Sequence, residues 1–207
     1  MRKVMIGIAL LAFAVTASAH LLVNPSFEVQ GSESWLADSW WRTTGPDLAD
    51  RVNWWPNSGS YHMSFNDWQG GSGSFGQWVG QSFDEGDVFT FSIWGDAGTL
   101  FDAEDVRIGI EIHRDGEPVI YDYVSILAGL QSVAGSGYHQ YTHVTTATVE
   151  NITGVSAYVQ VLNRDTGSPN HQLFFDDAYL AIPEPTAVVL MGLGGLMACM
   201  LRRKTSK

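Results

Sequence analysis

Apolar and polar residues alternate without a break along Val106-Arg107-Ile108-Gly109-Ile110-Glu111-Ile112-His113. A repeat of two puts Val and Ile on one face of an extended strand and polar groups on the other. Val155, Ala157, Val159 and Val161 follow the same rule. Shorter stretches of this kind run over 61–65, 75–83, 88–94, 118–126, 138–149 and 173–180. Turn formers separate them, among them Asp84-Glu85-Gly86-Asp87, Gly95-Asp96, Asp115-Gly116 and Gly135-Ser136-Gly137. Asp115-Gly116, set between two strand patterns, predicts a tight hairpin. No stretch between residues 20 and 181 carries the 3.6-residue period of an amphipathic helix. Eight or nine short strands predict an all-β, two-sheet antiparallel jelly-roll sandwich, with Val106, Ile108, Ile110 and Ile112 facing its core.

Two apolar runs break this pattern, one at each end. Arg2 and Lys3 precede an apolar run from Val4 to Val15, and Ala17-Ser18-Ala19 follows. That order predicts a signal peptide over residues 1–19, cut after Ala19, rather than a buried N-terminal helix. Pro183-Glu184-Pro185 precedes a second run, from Thr186 to Leu201, closed by Arg202, Arg203 and Lys204. The run is short for a span, but snorkelling cations at its end extend its reach. The basic end predicts a single transmembrane helix with residues 202–207 in the cytoplasm and the domain outside. The chain thus divides into 1–19, a sandwich domain over 20–181, and a tail over 182–207.

All 22 acidic residues lie between Glu28 and Glu184, where only five cationic ones occur: Arg42, Arg51, Arg107, Arg114 and Arg164. This part has a formal charge of −17 and no lysine. Such a domain is repelled by nucleic acid and by anionic lipid head groups, and it attracts cations such as calcium. Most of the charge serves solubility outside the cell. The single cysteine, Cys199, sits in the apolar tail, so the domain has no thiol chemistry and no cysteine-type zinc site.

The tail resembles the PEP-CTERM sorting signal, in which Pro-Glu-Pro, a short apolar helix and a terminal basic cluster follow one another. The resemblance covers roughly the last twenty-five residues. It implies recognition by an exosortase-type membrane transpeptidase, cleavage near Pro183 to Pro185, and a Gram-negative host that makes exopolysaccharide. The precursor would be a single-pass inner-membrane protein, and the product would reach the cell surface or extracellular matrix.

The domain carries a second resemblance. Asn24-Pro25-Ser26-Phe27-Glu28 opens it and Trp35 follows. Gly59-Ser60-Tyr61 leads into a strand, Phe89-Thr90-Phe91-Ser92-Ile93-Trp94 follows the Gly86 turn, and Phe174-Phe175-Asp176-Asp177-Ala178-Tyr179-Leu180 closes it. This layout resembles the galactose-binding-like jelly rolls, including cellulose- and xylan-binding modules. The resemblance implies a structural calcium ion (Ca2+) held by the Glu28 side chain, the Ser26 and Ser60 carbonyls and Asp176. Alternation along the last strand puts Asp176 inward beside Ala178 and Leu180, where a carboxylate needs a partner. The plainer alternative is hydrogen bonding or solvation of both carboxylates at the sheet edge.

Seven of the eight tryptophans fall between Trp35 and Trp78, and Trp40-Trp41 and Trp54-Trp55 are adjacent pairs. Neighbours on a strand face opposite ways, so one member of each pair is expected outside the core. Exposed indoles stack on the C–H face of a sugar ring. Trp40, Trp41, Trp54, Trp55 and Trp68 are therefore the sugar-binding candidates, with Asn53, Asn66, Asp67, Gln69 and Gln77 as polar partners. The other reading is that these rings fill one end of the sandwich. His139 and His143 share a strand face with Tyr141, but at roughly 13 Å along an extended backbone they are too far apart to chelate easily. They are expected on an exposed polar face.

No nucleophile elbow or phosphate-binding loop occurs. The leading expectation is a non-catalytic surface or matrix protein that binds polysaccharide. The alternatives are an adhesive protein that contacts other proteins, and an enzyme acting on glycosides.

Overall fold

The computed structural model describes residues 19–43, 49–65, 70–99, 101–165 and 172–182. The signal peptide, the Pro-Glu-Pro motif, the apolar tail and Trp68 lie outside the described residues. Residues His20–Ala181 form one compact unit. Among the described residues, no helix is long and apolar enough to cross a membrane.

Eleven strands and one short helix occur in this order among the described residues: β1 Ala19–His20, β2 Trp41–Arg42, β3 Ala49–Val52, β4 His62–Phe65, β5 Gly71–Val79, β6 Val88–Ala97, β7 Asp105–Arg114, β8 Ile120–Ser125, α1 Leu127–Ser132, β9 His139–Thr146, β10 Ile152–Arg164 and β11 Leu173–Ile182. They pair into two sheets. The six-stranded sheet runs β3-β4-β11-β6-β9, with β1 joined to β11. The five-stranded sheet runs β2-β5-β10-β7-β8. The ladders within both sheets are antiparallel. This is the all-β, two-sheet antiparallel sandwich that the alternation predicts.

The core follows from the period of two. Val106, Ile108, Ile110 and Ile112 of β7 are buried, and so are Val155, Ala157, Val159 and Val161 of β10. They lie in register, Ile110 opposite Ala157 and Ile108 opposite Val159. The other sheet contributes Phe65, Phe89, Phe91, Ile93 and Phe175. Burying each large apolar side chain stabilises by about 1.5–3 kcal/mol. Phe75 of β5 meets Phe65 at 5.6 Å and Phe175 at 5.9 Å, joining the two sheets.

Three local expectations are corrected. Asp115-Gly116 does turn the chain, with Gly116 at φ +69°, but the β7–β8 ladder begins only at Ile120. Pro118 has no N–H to give a tight hairpin ladder. Helix α1 was not visible in the pattern, since six residues are too few to show a period. His139, Tyr141 and His143 do share a face of β9, opposite Gly95, Ile93 and Phe91, but the expected exposure holds only for His139, while Tyr141 and His143 are half-buried. His143 Nε2 stands 3.5 Å from Asp122 Oδ1.

Candidate functional site

The outer face of the five-stranded sheet carries the residues that alternate with the core positions. One row crosses the sheet in register: Trp41 opposite Gly76, Gly76 opposite Tyr158, Tyr158 opposite Gly109, and Gly109 opposite Tyr123. Aromatic and glycine thus alternate over five strands, a width of about 19 Å at the usual strand spacing.

The glycines make room for rings lying against the sheet. A Cβ at Gly76 would meet Trp41 Cζ2 at 2.6 Å. One at Gly109 would meet Tyr158 Cζ and Tyr123 Cβ at 2.8 Å each. Tyr158 is only 4% exposed and forms the floor. Its hydroxyl pKa is pushed up to about 12, by burial first and then by the nearby Glu111 charge. Tyr123, 44% exposed, rises at one end of the row. The Arg107 guanidinium sits 4.2 Å from the centre of its ring.

A second row holds Trp78, Ser156, Glu111 and Tyr121, again in register. Trp78 is 45% exposed and Tyr121 60%. The Trp78 ring lies over Gly154, where a Cβ would meet its Cη2 at 2.1 Å. Between these rings, Glu111 Oε2 is 3.2 Å from His113 Nε2, and the Trp78 and His113 rings meet edge to face at 4.6 Å. A third row is wholly polar: Ser74, Gln160, Arg107 and Ser125. Asp105 accepts from Arg107 and from Ser125. Burial alone would raise its carboxyl pKa, but these two donors hold it below the usual carboxylate range. The face therefore offers a glycine-floored aromatic strip with fixed hydrogen-bonding groups along both sides. Such a strip suits a ligand that is flat and apolar on its faces and polar at its edges.

Of the predicted tryptophans among the described residues, only Trp41 lies on this face. Trp40 is a core residue, 3% exposed, packed on Phe27 at 4.7 Å and on Phe75 at 5.8 Å, with its indole N–H donated to the Asn24 carbonyl. It is no sugar platform. Trp54 and Trp55 belong to a loop on the other sheet, where both rings contact Phe174 at 6.3 and 6.5 Å. Gln77 is buried and bonded to the Val23 backbone, so it offers nothing outside. The sequence reading missed Trp78, Tyr121, Tyr123 and Tyr158. Their signal was available in the alternation itself, which puts Tyr158, Ser156 and Gln160 opposite in face to Val155, Ala157 and Val159.

The residues expected around calcium are arranged otherwise. A bulge interrupts β11 between Asp176 and Tyr179, with Asp177 at φ +47°. The bulge breaks the alternation, so Asp176 shares the outer face with Phe174 instead of pointing into the core. It is fully buried beneath the 57–58 backbone. Its Oδ2 accepts from the N–H groups of Asn57 and Ser58, at 2.9 and 3.0 Å, and Oδ1 from the Asp177 N–H. Glu28 Oε1 accepts from the N–H groups of Ser60 and Tyr61, at 2.8 and 3.0 Å. Each carboxylate thus faces backbone donors, which a cation would repel, and Ser60 turns its N–H, not its carbonyl, toward Glu28. Among the described residues no three acidic or imidazole groups gather as a metal cluster. These residues do not fit a calcium cage in this arrangement. The first segment is joined to the last strand by backbone bonds instead, from Leu21 N–H to the Leu180 carbonyl and from Ala178 N–H to the Pro25 carbonyl, both 2.9 Å. Burial pushes the Asp176 carboxyl up to about 7, and the neighbouring Asp177 charge adds to the shift.

Several solved structures share the fold. The CBM22-1 xylan-binding domain of Paenibacillus barcinonensis Xyn10C matches with a TM-score of 0.54 and 13% identity, over 82% of this chain and 98% of its own. A cyclase from Fischerella sp. TAU matches with a TM-score of 0.53 and 10% identity, over 81% of this chain and 98% of its own. The enzymatically active domain of bacteriophage CBA120 tailspike protein 4 matches with a TM-score of 0.53 and 13% identity, over 79% of this chain and 21% of its own. No family model and no curated protein matches the sequence. A binding module, a cyclase and a tailspike enzyme on one architecture define a fold class, and function must be read from the residues placed on it.

Proposed function

We propose that the protein is a non-catalytic polysaccharide-binding protein whose outer five-stranded face receives an extended sugar chain. The observation that carries this reading is the registered row Trp41, Gly76, Tyr158, Gly109, Tyr123. Pyranose rings present an apolar C–H face to such a floor, and their hydroxyls meet Glu111, His113 and Ser156 on one side and Arg107 and Gln160 on the other. The xylan-binding domain of the same fold supports the ligand class. The formal charge of −17 favours a neutral polysaccharide over an acidic one.

The export reading completes the proposal. The N-terminal segment delivers the chain to the envelope, and the Pro-Glu-Pro tail anchors it until an exosortase-type transpeptidase processes it, leaving the domain at the surface or in the matrix. The order of prolines, apolar run and basic cluster supports this.

Retardation of the protein in gels containing soluble xylan, mixed-linkage glucan or galactan tests the binding face. Tyr123→Ala and Trp78→Ala should each weaken binding about tenfold or more, as loss of a stacking aromatic contact does. Unaltered binding in both variants, or no retardation by any of these glycans, would sink the reading.

A further inference from the structure

Trp55 is 74% exposed, and its backbone is left-handed, at φ +58°. A bulky residue in that region is a true outlier, and it persists only where the surroundings hold it there. Here they do. The Tyr138 hydroxyl donates to the Trp55 carbonyl at 3.1 Å. Asp176 takes the next two free N–H groups, of Asn57 and Ser58. Asp177 accepts from the Asn57 amide at 2.8 Å and the Ser58 hydroxyl at 2.6 Å. Glu28 takes the N–H groups of Ser60 and Tyr61. Three carboxylates and one phenol thus clamp the loop over 55–61, whose most prominent side chain is an indole in water.

The ring does not stand alone. It meets Trp54 edge to face at 6.3 Å, and both rest on Phe174. Phe174 pairs with Asp96 and Ser64 on the outer side of the six-stranded sheet. The loop therefore lies on the opposite side of the sandwich from the aromatic strip.

We propose that Trp55 is the platform of a second sugar site, which makes the domain a bivalent bridge between two polysaccharide chains. The inference rests on the polysaccharide reading of the five-stranded face. The same loop carries the Asn57 amide and the Ser58 hydroxyl, both bonded to the Asp177 carboxylate. Each Asp177 oxygen accepts one hydrogen bond, from Asn57 or Ser58, and has a second lone pair for a ligand hydroxyl. An exposed apolar ring on a loop that also carries amide, hydroxyl and carboxylate groups is sugar-binding chemistry. The net acidity of the domain repels an anionic membrane surface or an acidic glycan. Two sites on opposite sheets cannot easily lie under one straight chain. Their joint occupancy links chains and raises avidity on a dense polysaccharide without tightening either site.

The test is titration calorimetry of the full chain with xylohexaose and cellohexaose, together with turbidity of a soluble xylan or glucan on addition of protein. Two hexasaccharides bound per chain, and turbidity that Trp55→Ala abolishes while one site remains, support the bridge. Trp55→Phe should keep part of the second site, and thermal melts of both variants check that the fold survives. One hexasaccharide per chain with Trp55→Ala unaffected overturns the second site and leaves the sheet-face reading standing. Loss of all binding in Trp55→Ala overturns the bridge and the sheet-face reading together, because the loop is then the sole site. No binding of either sugar and no turbidity defeats the underlying polysaccharide reading.

Discussion

Tyr158 lies directly across from Gly109, and its ring occupies the space where a Cβ at that position would stand. The empty side chain of Gly109 and the flat ring of Tyr158 are one feature. Gly109→Ala would press a methyl against Tyr158 Cζ and Tyr123 Cβ at 2.8 Å and against the Asp122 carbonyl at 2.7 Å. Two of these neighbours are held by the β8 ladder, so relief requires the strand to move. The expected cost is about 1–3 kcal/mol, and for a chain of this size the melting temperature falls by roughly 2–4 °C per kcal/mol. Gly154→Ala is the contrast. Its nearest neighbour is the far edge of the Trp78 ring at 2.1 Å, which can swing away. Calorimetry and glycan titration of the pair should show stability lost at 109, and binding lost with little stability change at 154. Equal melting losses at both positions would contradict the distinction.

Acid should act on the outer face of the six-stranded sheet in two opposing ways. Burial lowers the His62 pKa to about 4, and both ring nitrogens lack hydrogen-bond partners. Below pH 6.5 the unfolded chain takes up the proton that folded His62 refuses, so stability falls as pH drops from 6.5 toward 4. Asp176 does the reverse. Folded, it keeps its proton up to about pH 7; unfolded, it releases it near 3.8. Folding therefore takes up a proton between these values, and stability rises as pH drops from 7 toward 4. Asp96, also raised by burial, adds to the same trend. Each full proton contributes a slope of about 1.4 kcal/mol per pH unit. Asp176→Asn should unmask the His62 loss on acidification, and His62→Gln should unmask the Asp176 gain. Melting curves between pH 4 and 7 read both. An Asp176→Asn slope identical to wild type would remove the carboxylate from this account. A cation beside Asp176 would depress its pKa and invert its slope. Because Glu28 and Asp176 are committed to backbone donors, a chelator is expected to leave the slope unchanged.

The sandwich was legible because it rests on period two, which Val106 to Ile112 and Val155 to Val161 display without interruption. The same period held the outer aromatic face. Tyr158, Ser156 and Gln160 alternate with buried valines, yet the face was not read, because its aromatics come from four strands far apart in the chain. Only register brings Trp41, Tyr158 and Tyr123 into one row, and register is a tertiary fact. Clustering of tryptophans was a weaker guide. It mixed Trp40, a core ring, with Trp41 on one sheet and Trp55 on the other. Asp176 misled for a local reason: one left-handed residue, Asp177, moves the strand out of phase, and nothing in the string Phe-Phe-Asp-Asp-Ala-Tyr announces it.

The tail offers the last prediction, drawn from its sequence. Pro183 and Pro185 fix φ and lack N–H groups, so the chain between β11 and the apolar run is expected to be extended and non-helical. An extended segment just outside a membrane can be gripped by a processing enzyme in a way that a helix cannot. Arg202, Arg203 and Lys204, at the far end of the apolar run, would hold it in one orientation while that happens. Cleavage near Pro183 to Pro185 would remove the span and the cytoplasmic charge in one step and free a domain that is purely acidic in net charge. Replacing Pro183, Glu184 and Pro185 with alanine should leave a longer, membrane-retained form, because the helix can then continue upstream. Mass spectrometry of the surface-associated protein decides the matter. A mature C-terminus within or beside the Pro-Glu-Pro motif is expected, and an intact end at Lys207 in cells that carry the transpeptidase would reduce the segment to an ordinary anchor.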